Sequence, residues 1–137
     1  MADKRIAPAS GSTYNGDTYY YQEVVVFTAN GTILEGSPVM YDSSAAGKVI
    51  AHAGAVEHQV VGVALEAAAA GDAVEVCVKG VCLALTHGGT DTVVGDALDV
   101  NGARFDAGST YADGDRFIAF EVYTSADTAL RKIGILY

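Results

Sequence analysis

Three histidines, two cysteines and a scatter of aspartates are the residues of this 137-residue chain that could do chemistry. His52 and His58 are separated by a loop, and neither has the close histidine spacing that places two imidazoles on one metal. His87 stands beside Gly88-Gly89 with no identifiable co-ligand. All three are expected to be structural or surface histidines. Cys77 and Cys82 have no neighbouring histidine to activate a thiolate, and they lack the partners of a zinc site. Asp106, Asp113 and Asp115 offer oxygens to calcium, but their spacing does not match the calcium-binding loop of a helix-loop-helix hand. No serine lies in a G-x-S-x-G context, and Gly88-Gly89 lacks the Lys-Ser/Thr of a phosphate loop. Two acids meeting from different strands could form a glycosidase pair; separately, a small β-barrel enzyme or accessory subunit would need His52, His58 or His87 to converge with acids. Nothing in the spacing arranges this. The chain is expected to be no enzyme and to need no metal and no cofactor.

The elements that would position such groups are strands. Half of the residues are hydrophobic, much of that fraction being alanine. Valine is the main large apolar residue and favours strands. The chain has 16 glycines and 2 prolines, a balance suited to many tight turns. Its length fits one domain. A net charge of −9 argues against a nucleic-acid backbone or an anionic membrane surface as partner. No apolar run reaches the length of a membrane span. The charged start Met1-Ala-Asp-Lys-Arg has no apolar segment behind it, so no secretory signal is expected. Synthesis in the cytoplasm, and with it free thiols, follows.

The central stretch runs from Val60 to Leu85. Val74, Val76 and Val78 alternate with polar or small residues, as do Val81, Leu83 and Leu85. A two-residue hairpin loop at Lys79-Gly80 would put all six on one face and set Cys77 opposite Cys82. Asn30-Gly31 and Asn101-Gly102 are two further hairpin signals, the first returning through Thr32-Ile33-Leu34. Strands are also expected at Val24–Phe27, Val39–Tyr41, Lys48–Ala53, His58–Leu65, Arg116–Tyr123 and Leu130–Leu136. One turn motif recurs: Gly36-Ser37-Pro38-Val39, Gly71-Asp72-Ala73-Val74, Gly95-Asp96-Ala97-Leu98 and Gly114-Asp115-Arg116-Phe117. Glycine would supply an unusual φ there, and the Asp or Ser side chain would bond nearby backbone. The sum is an all-β fold of about ten short strands, a small barrel or sandwich.

Residues 1–22 differ from the β domain of residues 23–137. They are poor in aliphatics and carry Tyr14, Tyr19, Tyr20 and Tyr21. An extended arm that orders against a partner is expected, because tyrosine brings large contact area at low entropic cost. Tyr19–Tyr21 could already enter the first strand.

The order of the segments resembles a known family. Ile33-Leu34-Glu35-Gly36-Ser37-Pro38-Val39 is followed by Gly47-Lys48-Val49-Ile50-Ala51 and Val61-Gly62-Val63-Ala64-Leu65. Then come Ala68-Ala69-Ala70-Gly71-Asp72, Val74-Glu75-Val76 and Lys79-Gly80-Val81. This resembles the capsid decoration (cement) proteins of tailed bacteriophages over residues 23–85. The resemblance implies a structural protein on the outer surface of the virion. It would be a homotrimer at threefold and quasi-threefold positions, with the major capsid protein as partner, stabilising the expanded shell. On composition alone, not through the resemblance, the arm with Tyr14, Tyr19, Tyr20 and Tyr21 is expected to be the capsid-binding element. The alternative is a carbohydrate- or receptor-binding β module, such as a head fibre or adhesin domain, with loops Thr86–Thr92 and Asp106–Asp115 as its site. The absence of tryptophan for sugar stacking weighs against that alternative.

Overall fold

A computed structural model describes residues 3–7, 20–54, 59–86, 92–107, 116–122 and 130–136. These residues form ten strands, β1 (Asp3–Ala7), β2 (Tyr20–Ala29), β3 (Pro38–Tyr41), β4 (Lys48–Ala51), β5 (Val60–Ala64), β6 (Ala73–Leu85), β7 (Ala97–Asn101), β8 (Arg104–Ala107), β9 (Phe117–Ala119) and β10 (Leu130–Ile135). No α-helix occurs among the described residues. The expected all-β fold is present.

Two closed circuits share one strand. In the first, β2, β4, β3, β5 and β6 are hydrogen-bonded in that order, and β6 returns to β2, closing a five-stranded barrel. Its interior holds Ala29, Ile33, Val39, Val49, Ala64, Ala68, Val74 and Val76. In the second, β6 continues into the order β10, β9, β7, β8, and a single parallel bridge from Thr86 to Phe105 brings β8 back to the end of β6. The Arg104 guanidinium donates across this seam to Thr86 O at 3.4 Å. A second core lies where these strands cover the outer side of β5 and β6. It packs Val63, Cys77, Cys82 and Ala84 against Leu98, Phe105, Phe117, Ile133 and Ile135.

The Lys79-Gly80 hairpin does not form. Ala73–Leu85 is one strand of 13 residues. Its register against β2 shifts between Glu23 and Val24, which pair with Lys79 and Cys77, so Val78 is the extra residue of a β-bulge. A bulge inserts one residue and reverses the inside–outside alternation without reversing the chain. Val74 and Val76 therefore point into the barrel, while beyond the bulge Cys82 and Ala84 are buried in the second core. Val81, Leu83 and Leu85 are only half-buried on the opposite face. Gly80 takes φ 105° next to the bulge, and the Gln22 side chain donates to Val81 O at 2.9 Å.

Asn30-Gly31 is not a hairpin turn either. Thr28 and Ala29 pair in parallel with β4, and Ile33 pairs with Ala68. Asn30 is tied down twice, its N–H to Val49 O and its side-chain amide to Asp42. The β7–β8 hairpin does form, with Asn101 paired to Arg104, so Gly102-Ala103 is the loop. Gly102 alone takes a positive φ there, the arrangement of a type II′ turn. The strand expected over Arg116–Tyr123 ends at Ala119. Ala119 N–H donates to Asp96 O, and Phe120 N–H donates to Lys132 O.

The recurrent turn motif carries more than was expected of it. Gly36, Gly71 and Gly95 have φ of 82°, 92° and 93° and stand just ahead of β3, β6 and β7. In each turn the residue after glycine donates its N–H back three positions, from Ser37 to Leu34, Asp72 to Ala69 and Asp96 to Val93. Asp72 and Asp96 return a carboxylate to the N–H of Ala69 and Val93. Each turn also docks on one fully buried alanine. Gly36 N–H donates to Ala64 O while Ala64 N–H donates to Ser37 O, and Gly71–Asp72 does the same with Ala29, as Gly95–Asp96 does with Ala119. Gly114-Asp115 lies outside the described residues. Replacing Asp96 by alanine removes the bond to Val93 N–H, and the expected cost is about 1 kcal/mol. An urea midpoint that moves without a change in slope would register it, and an unchanged midpoint would contradict it.

Candidate functional site

Of the residues whose types could do chemistry, His52, Cys77, Cys82 and Asp106 are among the described ones. His52 is buried and donates from Nδ1 to Gly102 O at 2.9 Å, while Gly102 N–H donates to Gly54 O at 2.7 Å. This histidine ties the end of the barrel to the β7–β8 turn, which is a structural task. His58 and His87 lie outside the described residues, as do Asp113 and Asp115, so the expected oxygen cluster retains only Asp106 on β8. Among the described residues, no three histidines, cysteines or acids are grouped to hold a metal. Among them, too, no helix is long and apolar enough to cross a membrane.

Cys77 and Cys82 are free thiols, both buried. They do not face each other across a hairpin but share the side of one strand that faces the second core, on either side of its bulge, and the Cys77 thiol donates to Lys79 O at 3.3 Å. The bond with Cys77 and the burial both push the Cys82 thiol well above its usual range. A raised folded value favours the neutral thiol. Stability from this pair is therefore complete below the unfolded thiol value, about 8.5, and is lost as pH rises above it. The expected result is that neither thiol reacts with an aromatic disulfide reagent in the folded protein at pH 8, while both react in urea. Rapid labelling of the folded chain would contradict the burial.

Of the four tyrosines expected in the binding arm, Tyr14 and Tyr19 lie outside the described residues. Tyr20 and Tyr21 are the first residues of β2 and pair with Ala7 and Ile6 of β1. β2 thus runs across the boundary expected between residues 22 and 23, and β1 adds a strand from within the expected arm.

A groove the sequence did not announce lies on the barrel flank. It encloses about 590 Å³ and is open to solvent. Met40, Tyr41 and Ser43 come from β3 and the turn after it, and Gln59, Val60 and Val61 from the start of β5. Arg116, just ahead of β9, closes one side. A second bulge shapes this place: the β3–β5 register shifts between Val39 and Met40, so that Met40 pairs with Val60 and Val61 is extra. Arg116 Nη1 donates to Val60 O at 2.6 Å, and its guanidinium carbon lies 5.1 Å from the centre of the Phe117 ring. The Tyr41 side is 58% exposed and meets Phe27 edge-on at 5.8 Å. Neighbouring Asp42 is occupied elsewhere. Bonds from the Asn30 amide, then from the Ser44 hydroxyl and N–H, hold its carboxyl below the usual carboxylate value. Arg116 lies 56 residues from Val60 in the chain, and no spacing rule connects them.

A separate apolar surface lies beside the start of β7 and the end of β9. Val93, Val94, Phe120 and Val122 are all exposed. The docking of Gly95–Asp96 on Ala119 brings the first pair beside the second. Glu121, Arg131 and Lys132 fringe it, with ion-pair distances of 3.8 and 3.9 Å.

No family model matches this chain, and no curated protein matches it. Among solved structures, the N base of the head fibre gp8.5 of bacteriophage phi29 is similar in fold. The match covers 82% of this chain and 92% of that one, with a TM-score of 0.58 at 16% sequence identity. At that identity the likeness is one of fold.

Proposed function

We propose that this chain is a structural, non-enzymatic β module of a phage head, carried on the outer surface of the shell. The observation that carries the reading is the fold likeness to a head-fibre base over nearly the whole of both chains. The segment order over residues 23–85, similar to the capsid decoration proteins, leads to the same surface by an independent route. Those residues make up the closed barrel and all of β6. In the finer form of the proposal, the chain decorates the expanded capsid as a homotrimer at threefold and quasi-threefold positions and stabilises it. The major capsid protein is its partner, and Tyr14, Tyr19, Tyr20 and Tyr21 anchor it. Three weak anchors on one trimer would add their strengths through high effective concentration. The second reading is the base of a projecting head fibre, favoured by the identity of the similar structure.

Co-sedimentation with purified heads lacking this protein tests both. Saturable binding to expanded heads, and not to unexpanded ones, is the expected result. It should weaken in a Tyr14→Ser/Tyr19→Ser variant, which leaves β2 intact. Undiminished binding by the variant would remove the tyrosine arm from the proposal. No binding to either head would sink the decoration role. A monomeric mass in light scattering would remove the trimer.

A further inference from the structure

We propose that β1 is exchanged between copies of this chain: in the assembled protein, Asp3–Ala7 of one copy pairs with Tyr20–Val24 of the next. The proposal rests on the trimer reading above and names a contact that holds the trimer together.

The first observation is an edge. Along β2, one side pairs with β6 from Gln22 to Thr28. On the other side, β4 takes up only Thr28 and Ala29. Among the described strands, β1 alone covers that side from Tyr20 to Val24. A bare row of main-chain donors and acceptors would pair with whatever strand came by, so some copy has to supply β1.

The second observation is how β1 is joined to its own copy. β2 is the only described strand hydrogen-bonded to it. The link between the two is residues 8–19, twelve in all, and Ala7 and Tyr20 are the pair it joins. A hairpin loop usually has about two to five residues. The β7–β8 hairpin of this chain has Gly102-Ala103 alone, which leaves β8 no choice of partner. Twelve extended residues span up to about 40 Å, against a radius of gyration of about 14 Å for a chain of this length. The same strand therefore reaches a neighbouring copy.

Charge favours the neighbour. Chains of net charge −9 repel each other. β1 is net positive, with Lys4 and Arg5 against Asp3, and its register sets Lys4 opposite Glu23. Exchange lays this positive strand on the next copy and puts opposite charges across the contact. The register is the same within a copy and between copies, so no new interface is needed. Each copy gives one strand and receives one, and a ring of three closes with every β2 edge covered.

The test is disulfide trapping in the full chain. Lys4→Cys and Glu23→Cys stand opposite each other in the register, as do Ala7→Cys and Tyr20→Cys. The two pairs are of alternate hydrogen-bonding type, so one of them suits a disulfide. Chains carrying one cysteine of a pair are mixed with chains carrying the other, refolded together and oxidised with oxidised glutathione. A covalent dimer that neither variant gives alone is expected on a denaturing gel without reductant. The doubly substituted chain should give covalent multimers. Deleting residues 10–16 leaves a five-residue link, a hairpin loop in length, and should turn that bond inward to give monomers. Three outcomes would overturn the proposal. One is a bond within single chains of the undeleted double variant. Another is no bond in either pair, within or between chains. The third is a bond still formed between chains after the deletion. Light scattering separates this proposal from the reading beneath it. A trimer whose bonds lie within single chains keeps the trimer and removes the exchange, whereas a monomeric mass removes both.

Discussion

Gly62→Ala will lose about 3 kcal/mol of stability or more, and its melting temperature will fall by roughly 10 °C. Gly62 sits in β5 opposite Val39 of β3, where β5 is also drawn against β6 to complete the barrel. A Cβ added there would stand 2.2 Å from the Cys77 carbonyl oxygen and 2.7 Å from Val76 Cγ1. The first of these is main chain and cannot rotate away. The seam between β5 and β6 consists of the pairs Val63–Cys77 and Ala64–Val76, so moving it opens the barrel and exposes the interior valines. Single domains hold only about 5–15 kcal/mol in all, and the loss is a large share. Gly31→Ala is the control. A Cβ there meets nothing within 4 Å, and Gly31 has no positive φ. That variant should lie within about 0.5 kcal/mol of the parent. If thermal unfolding shows the two variants equally stable, the close approach of β5 to β6 is wrong.

Phe117→Ala should cost about 3–5 kcal/mol. Phe117 and Phe105 are both fully buried, with ring centres 4.8 Å apart at 58°. They join β9 to β8 through the middle of the second core, and β8 is the strand that closes this circuit back on Thr86. Removing the ring leaves a cavity among Leu98, Ile133 and Ile135 that small side chains cannot collapse into. Phe105→Ala should cost a similar amount. The double variant should lose less than the sum, by about 0.5–1.5 kcal/mol, because the ring pair is lost only once. Urea unfolding of the four proteins measures this directly. A loss below about 1 kcal/mol for Phe117→Ala would show that the two rings do not organise that core.

The sequence carried the local rules well and the long-range closures poorly. Strand content, the β7–β8 hairpin and the glycine–aspartate turns were legible because each is decided within a few residues by φ and by side-chain bonds to the main chain. The docking of those turns on Ala29, Ala64 and Ala119 was not, since alanine announces nothing about what lies above it. The reversal of alternation at Lys79-Gly80 reads as a hairpin in the sequence and is a bulge in the structure. A hairpin and a bulge leave the same mark on one-dimensional periodicity, and only the partner β2 decides between them. Asn30-Gly31 failed for a related reason: the chain there leaves β2 for a contact with Ala68, and β4 takes the place a returning strand would fill. Arg116 was invisible as a site residue, because its partner Val60 is reached only once both circuits have closed.

β6 also governs how such a chain can be inherited. One strand supplies Val74 and Val76 to the barrel, and Cys77, Cys82 and Ala84 to the second core. A genetic crossover that exchanged the C-terminal portion downstream of Leu85 would bring in a sheet required to fit the Cys77–Cys82–Ala84 surface it had not evolved against. A crossover within β6 would separate the bulge from the Glu23–Val24 register that accommodates it. Recombination among relatives should therefore preserve β2 and β6 as a linked pair and vary the covering strands around small side chains. The buried cysteines and alanine would then persist as a matching surface even where overall sequence identity has decayed.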